Sequence, residues 1–184
     1  MIQIKINYNY EILLLLLKKE MHGRELVKEL KTSLTRVQST LNELRSINVL
    51  DYKIEGKNHI YFIKKNLTSK SFILNAENYK LAKILSKHQT LEPIFQDIIQ
   101  KSRCNLIILF GSYAKGNPKK DSDIDIYIET TNPKIKEEVQ KIYDLISVKI
   151  GKFNSKDLLI KEIIKNHAII KGGEEYYEKI NFFN

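Results

Sequence analysis

Residues 111–129 read GSYAKGNPKKDSDIDIYIE, and this stretch decides the fold of the second half of the chain. The pair Gly111-Ser112 is followed after ten residues by Asp123-Ile124-Asp125. Upstream, Asn105 to Phe110 is a short, mostly apolar run of strand length. Downstream, Asp123, Asp125 and Tyr127 alternate with Ile124, Ile126 and Ile128. A strand turns successive side chains to opposite faces, so the two carboxylates share one face and the isoleucines lie on the core. Two carboxylates side by side repel each other and are costly unless a cation sits between them. The Gly-Ser turn, with Gly116 beyond it, offers backbone N–H groups and a hydroxyl to phosphate oxygens. A phosphate clamp facing a divalent-metal site is the equipment for transferring a nucleotide. The competing reading is a surface turn followed by a strand with solvated acids. A Gly-Ser turn and an Asp-x-Asp at this spacing, between two apolar strands, count against it.

Gly111, Ser112, Ala114, Gly116, Asp121, Ser122, Asp123 and Asp125 fill the pattern Gly-Ser-x-Ala-x-Gly, then Asp-Ser-Asp-x-Asp. The pattern resembles the signature of the polymerase-beta-like nucleotidyltransferase superfamily, in its minimal branch. The resemblance implies a mixed sheet with flanking helices. It implies that Gly111 and Ser112 contact the triphosphate of an NTP, ATP by preference. It also implies that Asp123 and Asp125 are the catalytic acids and hold Mg²⁺ (or Mn²⁺). Lys115 and Ser122 lie in the same loop and join the nucleotide-binding set; Lys115, Lys119 and Lys120 can neutralise phosphate charge or form a solvated tip.

The superfamily places a third carboxylate on a neighbouring strand, after an intervening helix. Pro133 to about Leu145 has that helix's spacing, with Ile135, Val139, Ile142 and Ile146 in phase. The strand that follows is expected at Ile146–Ile150, and the acid would fall near Ser147, which is not an acid. Asp144 and Asp157 flank the strand and substitute only if the register differs. A site without the third acid still binds nucleotide and metal, with slow catalysis or none.

The first third has a separate organisation. Ile12, Leu13, Leu16 and Leu17 give a buried face to a helix ending near Glu20, broken by Met21-His22-Gly23. A second helix spans Gly23 to Leu30. Ser33 caps a third that runs to about Ile47, with Leu34, Val37, Leu41, Leu44 and Ile47 on one stripe. Its other face carries Thr35, Arg36, Gln38, Ser39, Asn42 and Arg45. Leu50–Ile54 and His59–Ile63 alternate around Glu55-Gly56-Lys57-Asn58, a hairpin signal. Three short helices and a hairpin resemble a winged helix-turn-helix domain. That resemblance implies double-stranded DNA as partner, with Thr35, Arg36, Gln38, Ser39 and Asn42 in the major groove and Lys57 on the wing. Lys53 and His59 join the wing contacts. A winged helix used for protein contact is the alternative.

The length fits one large domain or two small ones and the apolar fraction, 42%, suits a soluble globular protein; the two resemblances together imply an α+β chain of two modules. The expected division is a winged helix over 1–66, a helical linker over 67–89 and a nucleotidyltransferase domain over 90–184. Leu81, Ile84 and Leu85 mark the linker helix, which connects the modules or pairs two protomers as a homodimer. Thr90 is placed to cap a further helix, Leu91 to about Ser102, with Ile94, Phe95, Ile98 and Ile99 inward. Leu158, Leu159, Ile163 and Ile164 give a similar face near the end. The formal charge is +9, with pI about 9.4, which favours a polyanionic partner. Up to Asn66, twelve Lys+Arg against seven Asp+Glu leave +5; nineteen against fifteen in the remainder leave +4. The aliphatic run Ile12–Leu17 is far short of the ~20 residues of a membrane span. Met1–Ile6 alternates like a strand and lacks a secretion-signal layout. A single cysteine, Cys104, excludes an internal disulfide, and the cytoplasm is the expected location. The four histidines have no ligand spacing. Tyr113 can stack near a base or cover the loop, and Tyr176 and Tyr177 are candidates for self-modification.

The expected activity is Mg²⁺-dependent transfer of a nucleoside monophosphate from an NTP to an acceptor hydroxyl, coupled to DNA binding. Minimal relatives resemble the antitoxin half of toxin–antitoxin pairs, which implies a HEPN-type toxin as a further partner. The rival is a winged-helix regulator whose degenerate nucleotidyltransferase domain senses nucleotide or joins protomers.

Overall fold

The computed structural model describes residues 4–183, and they divide into two compact units, one of residues 5–79 with Phe183 and one of residues 80–182 with Ile4. The strand-like alternation at the start falls partly outside the described residues; Ile4 to Ile6 carry no regular structure.

The first unit begins with α1 (Tyr8–Leu16), capped by the Asn7 side chain, which accepts from the N–H groups of Asn9 and Tyr10. This helix ends four residues before Glu20, because Met21 and His22 form a short strand, β1. They pair with Tyr61 and Ile60. Next come α2 (Gly23–Leu30) and α3 (Leu34–Ser46). The His22 ring accepts from the Glu25 N–H at 3.1 Å, and Ser33 Oγ accepts from the Arg36 N–H at 3.2 Å. Such caps satisfy donors that the first helical turn leaves unpaired, and each contributes about 1 kcal/mol. The hairpin is β2 (Leu50–Glu55) and β3 (Asn58–Ile63), giving a three-stranded antiparallel sheet in the order β1-β3-β2.

Ile12, Leu13, Leu16, Leu26, Val37, Leu41, Leu44 and Leu50 are buried in this unit. Each such side chain contributes roughly 1.5–3 kcal/mol relative to exposure. The stripe on α3 is shorter than its spacing predicts. Leu34 and Ile47 are 42% and 39% exposed, since each stands at an end of the helix, past the neighbours that cover its middle. Thr40 is buried instead, its hydroxyl donating to the Arg36 carbonyl.

The helix α4 (Leu67–Lys87) carries the boundary between the units. In the second unit, α5 (Leu91–Ser102) has the expected bounds, but Thr90 makes no side-chain cap: its backbone is already helical, and a turn from His88 starts the helix. Then follow β4 (Ile107–Phe110), α6 (Gly111–Lys115), β5 (Ile124–Glu129), α7 (Pro133–Gln140) and β6 (Ile146–Gly151). The last elements are α8 (Leu158–Lys165), β7 (Ala168–Lys171) and α9 (Gly173–Lys179).

The four-stranded sheet has the order β6-β5-β4-β7 and is mixed: β5 and β6 are parallel, the other pairs antiparallel. Ile124, Ile126 and Ile128 face a core with Phe95, Ile98, Val139, Val148 and Ala168. The helix after β5 stops at Gln140, short of Leu145, because the chain must turn to run beside β5. In α8, Ile160 and Ile163 are buried whereas Leu158, at its first position, is 84% exposed.

The elements β7 and α9 were not anticipated. Gly172 joins them at φ +87°, where an added Cβ would overlap the Asn105 carbonyl, so only glycine fits. Tyr176 and Tyr177 are 1% and 2% exposed, with Tyr176 edge-on to Phe153 and Phe153 edge-on to Tyr127. Buried in this aromatic cluster, neither tyrosine is presented as an acceptor for self-modification. Among the described residues, no helix is long and apolar enough to cross a membrane.

Candidate functional site

The register of β5 builds the site in the second unit. Phe110, the last residue of β4, stands opposite Asp125, so the chain leaves β4 against that carboxylate. Gly111 turns away at φ +70°, and an added Cβ would overlap the Asp125 carboxylate. Glycine is therefore needed here twice, for the left-handed backbone and for the space. The expected Gly-Ser turn is the first turn of the five-residue helix α6, whose leading N–H groups have no intrahelical carbonyl to bond. Gly116 closes that helix, and the Asn117 N–H donates back to the Ser112 carbonyl.

Asp123 lies just ahead of β5 and is exposed; Asp125, two residues on, is half-buried on the same side of the chain. Across the parallel pair, Asp125 is in register with Ser147. The position expected for a third acid is thus a serine. Asp144 is exposed ahead of β6, and Asp157 sits at the start of α8, bonded to the Asn154 side chain. Burial raises the pKa of Asp125 above the ordinary carboxylate value; the neighbouring Ser147 hydroxyl opposes this, and the charge of Asp123 adds to it.

Other loop residues have work of their own. Ser122 Oγ accepts from the Lys119 N–H at 2.7 Å and closes the loop before Asp123. Lys115 is ion-paired with Glu162 of α8 at 2.8 Å. Lys119 and Lys120 are exposed. The Tyr113 ring lies edge-on to His88.

In the first unit, Thr35, Arg36, Gln38, Ser39 and Asn42 are all exposed on α3, and Lys57 is exposed at the hairpin turn. Arg36 leans over the Tyr8 ring, 5.7 Å from its centroid. Arg45, expected on the outer face, lies 4.3 Å from the Tyr52 ring centroid instead, and His59 stacks on the same tyrosine at 4.0 Å. Lys53 is paired with Glu20 and Glu55. A groove of about 480 Å³ runs between α3 and the hairpin, with His22, Arg24, Gln38, Lys57, Asn58 and His59 among its lining. His22 and Arg24 were missed in the sequence, because only strand pairing brings the start of α2 beside the hairpin.

The two carboxylates are hard oxygen groups of the kind that suits a magnesium-sized cation. The bare Cα of Gly111 leaves Asp125 room beside the loop. The residues present therefore fit a divalent cation with a bound phosphate, although no group of three His, Cys, Asp or Glu placed to hold a metal occurs among the described residues.

The family model for "Polymerase beta, Nucleotidyltransferase" matches residues 80–179. A Methanocaldococcus jannaschii protein named "Putative protein adenylyltransferase MJ1217" is 32% identical over 100 residues, which span 52% of this chain and 90% of that protein. A second from that organism, "Putative protein adenylyltransferase MJ0128", is 34% identical over 96 residues, 50% of this chain and 86% of its own. A solved toxin–antitoxin structure with AMP-PNP is 21% identical, covers 48% of this chain and 86% of its own, and has a TM-score of 0.38, too low to add to the argument. The matched segment holds the whole Gly111–Asp125 site, and the chain belongs to the polymerase beta nucleotidyltransferase family.

Proposed function

We propose that the second unit transfers a nucleoside monophosphate, AMP by preference, from a nucleoside triphosphate to a hydroxyl of a protein acceptor. The observation that carries this reading is the abutment of the Asp125 carboxylate on Gly111, which sets that carboxylate against the first turn of α6. Gly111 and Ser112 would hold the triphosphate, with Ser122 fixing the loop that leads to Asp123. Asp123 and Asp125 would hold Mg²⁺ (or Mn²⁺), which when bound neutralises phosphate charge and polarises the phosphorus centre. The acceptor oxygen forms a bond to the α-phosphorus, the bond to pyrophosphate breaks, and the hydroxyl proton passes to solvent. A protein acceptor is favoured by the names of the M. jannaschii relatives. Lys115 serves the phosphates only after leaving Glu162.

The first unit we read as a winged helix that binds double-stranded DNA through α3 and the hairpin turn. Its exposed Thr35, Arg36, Gln38, Ser39 and Asn42, and the groove whose lining includes Arg24 and Lys57 but, among the described residues, no carboxylate, support that reading. A DNA-binding transferase of this type suits an antitoxin-like role, with a HEPN-type toxin as the acceptor. Ser147 in place of an acid supports a second reading, in which the unit binds nucleotide without transfer.

Incubation of the full chain with α-labelled ATP, Mg²⁺ or Mn²⁺ and cell lysate separates them. Label on a protein with the wild type, and none with Asp123→Asn plus Asp125→Asn, is the expected result. A loss of about 10³-fold or more corresponds to several kcal/mol of charge stabilisation. Metal-dependent ATP binding without label would give the nucleotide-sensing reading; equal labelling by the double variant would overturn the assigned acids.

A further inference from the structure

Lys115 is the last residue of α6 and stands four residues after Gly111. Residues four apart lie on one face of a helix, with roughly 5–6 Å between their Cβ positions. The Gly111 end of that face abuts the Asp125 carboxylate. Lys115 therefore starts one turn from the carboxylate on which the site is built. Its ammonium is already engaged: it meets Glu162 Oε1 of α8 at 2.8 Å, the distance of a charge-assisted hydrogen bond. The two side chains remain 42% and 49% exposed. Glu162 is the one acid of α8, whose sequence is LLIKEIIK. Lys119 and Lys120, in the loop that follows α6, have no ion-pair partner among the described residues. The acid on α8 thus singles out the lysine nearest Gly111.

We infer that Glu162 competes with nucleotide phosphate for Lys115, and so sets the affinity of the site for its triphosphate. The inference rests on the reading of Gly111 and Ser112 as the triphosphate clamp and goes past it, since it names an acid outside that clamp as a determinant of affinity. A carboxylate offers Lys115 a single charge, whereas a triphosphate offers several. Lysine is a point charge on a flexible stem and can turn from one to the other. A buried pair would resist the exchange, because the acid left behind would have neither partner nor water. Glu162 is half exposed and meets solvent when Lys115 leaves. An exposed pair of this kind contributes little, so Glu162 biases Lys115 without immobilising it. Removing the competitor should tighten triphosphate binding by about twofold to fivefold.

The test is the affinity of the full chain for α,β-methylene-ATP, measured with Mg²⁺ at low ionic strength, where exposed pairs are least screened. This probe keeps the triphosphate and resists cleavage between its α- and β-phosphates. Glu162→Gln should bind it about twofold to fivefold more tightly than the wild type, with its melting curve little changed. Lys115→Met should bind it more weakly. In a Lys115→Met background, Glu162→Gln should bring no gain, because the two residues act as one unit. An equal gain in that background would make Glu162 one negative charge among many, and overturns the inference. Unchanged or weaker binding by Glu162→Gln also overturns it, weaker binding showing that the acid holds Lys115 in place for the phosphates. If Lys115→Met binds as well as the wild type, Lys115 is no phosphate contact, and the inference falls while the clamp at Gly111 and Ser112 stands. If the wild type itself does not bind the probe, that clamp falls as well.

Discussion

As proposed, the two units would meet phosphate by opposite means. In the first, the proposed contacts are side chains on the outer face of α3 and at a hairpin turn, all exposed. None of Thr35, Arg36, Gln38, Ser39 or Asn42 shapes the backbone beneath it. In the second, the contacts are a backbone turn and a carboxylate pair, and Gly111 and Asp125 constrain each other sterically. A face of side chains can lose one member and weaken by degrees. A site made of backbone geometry tolerates no added atom. Effects on the first unit should therefore be graded, and those on the second close to all-or-none.

Gly111→Ala is the sharpest way to break that contrast. The alanine would meet φ +70° and the Asp125 carboxylate together. Transfer should be lost, and the strain should cost about 1–3 kcal/mol, read as a lower urea midpoint with unchanged slope. Activity near wild type would mean that the turn relaxes freely and the site is not geometric. Arg36→Ala should have a smaller effect, weakening DNA binding by about 1–3 kcal/mol if it reads a guanine edge and leaving transfer intact. Wild-type affinity should fall with salt at a log–log slope of roughly −0.9 per phosphate neutralised, and Lys57→Ala should reduce that slope by about one. DNA binding that ignores salt would remove the graded half of the comparison.

The smallest effect concerns Asp125 itself. Its pKa is raised chiefly by burial, so the folded protein keeps this proton to a higher pH than the unfolded chain does. Stability then falls as pH rises through that interval, since the folded state binds more protons there. Asp125→Asn removes the cost. In EDTA it should raise Tm slightly at neutral pH, and the gain should vanish in acid, where the wild type is protonated too. A lower Tm at neutral pH would show that the ionised carboxylate stabilises the fold.

What was legible in the sequence follows the range of the forces involved. Capping by Ser33 is local, and so is the alternation of residues 123–128; both appear as expected. Ser147 could be located because a strand–helix–strand crossover sets its neighbour within narrow limits. Long-range choices could not be read. Nothing near Gly172 announces that Asn105 will lie against it. Ala168 to Lys171 is a short apolar stretch that only its pairing with β4 makes a strand. Arg45 has the spacing of an outward residue, and the ring of Tyr52, on the hairpin, draws it in. Lys115 looked available for phosphate because its partner Glu162 is remote in the chain.

The pairing of β7 with β4 also orders events in time. The sheet of the first unit has all its strands once Ile63 is made, and the unit's main stretch runs to residue 79. The sheet of the second stays open on the β4 side until residue 171 has left the ribosome. At ~5–20 residues per second, that interval lasts roughly 5–20 s. For those seconds each nascent chain carries a finished candidate DNA reader and an unfinished transferase.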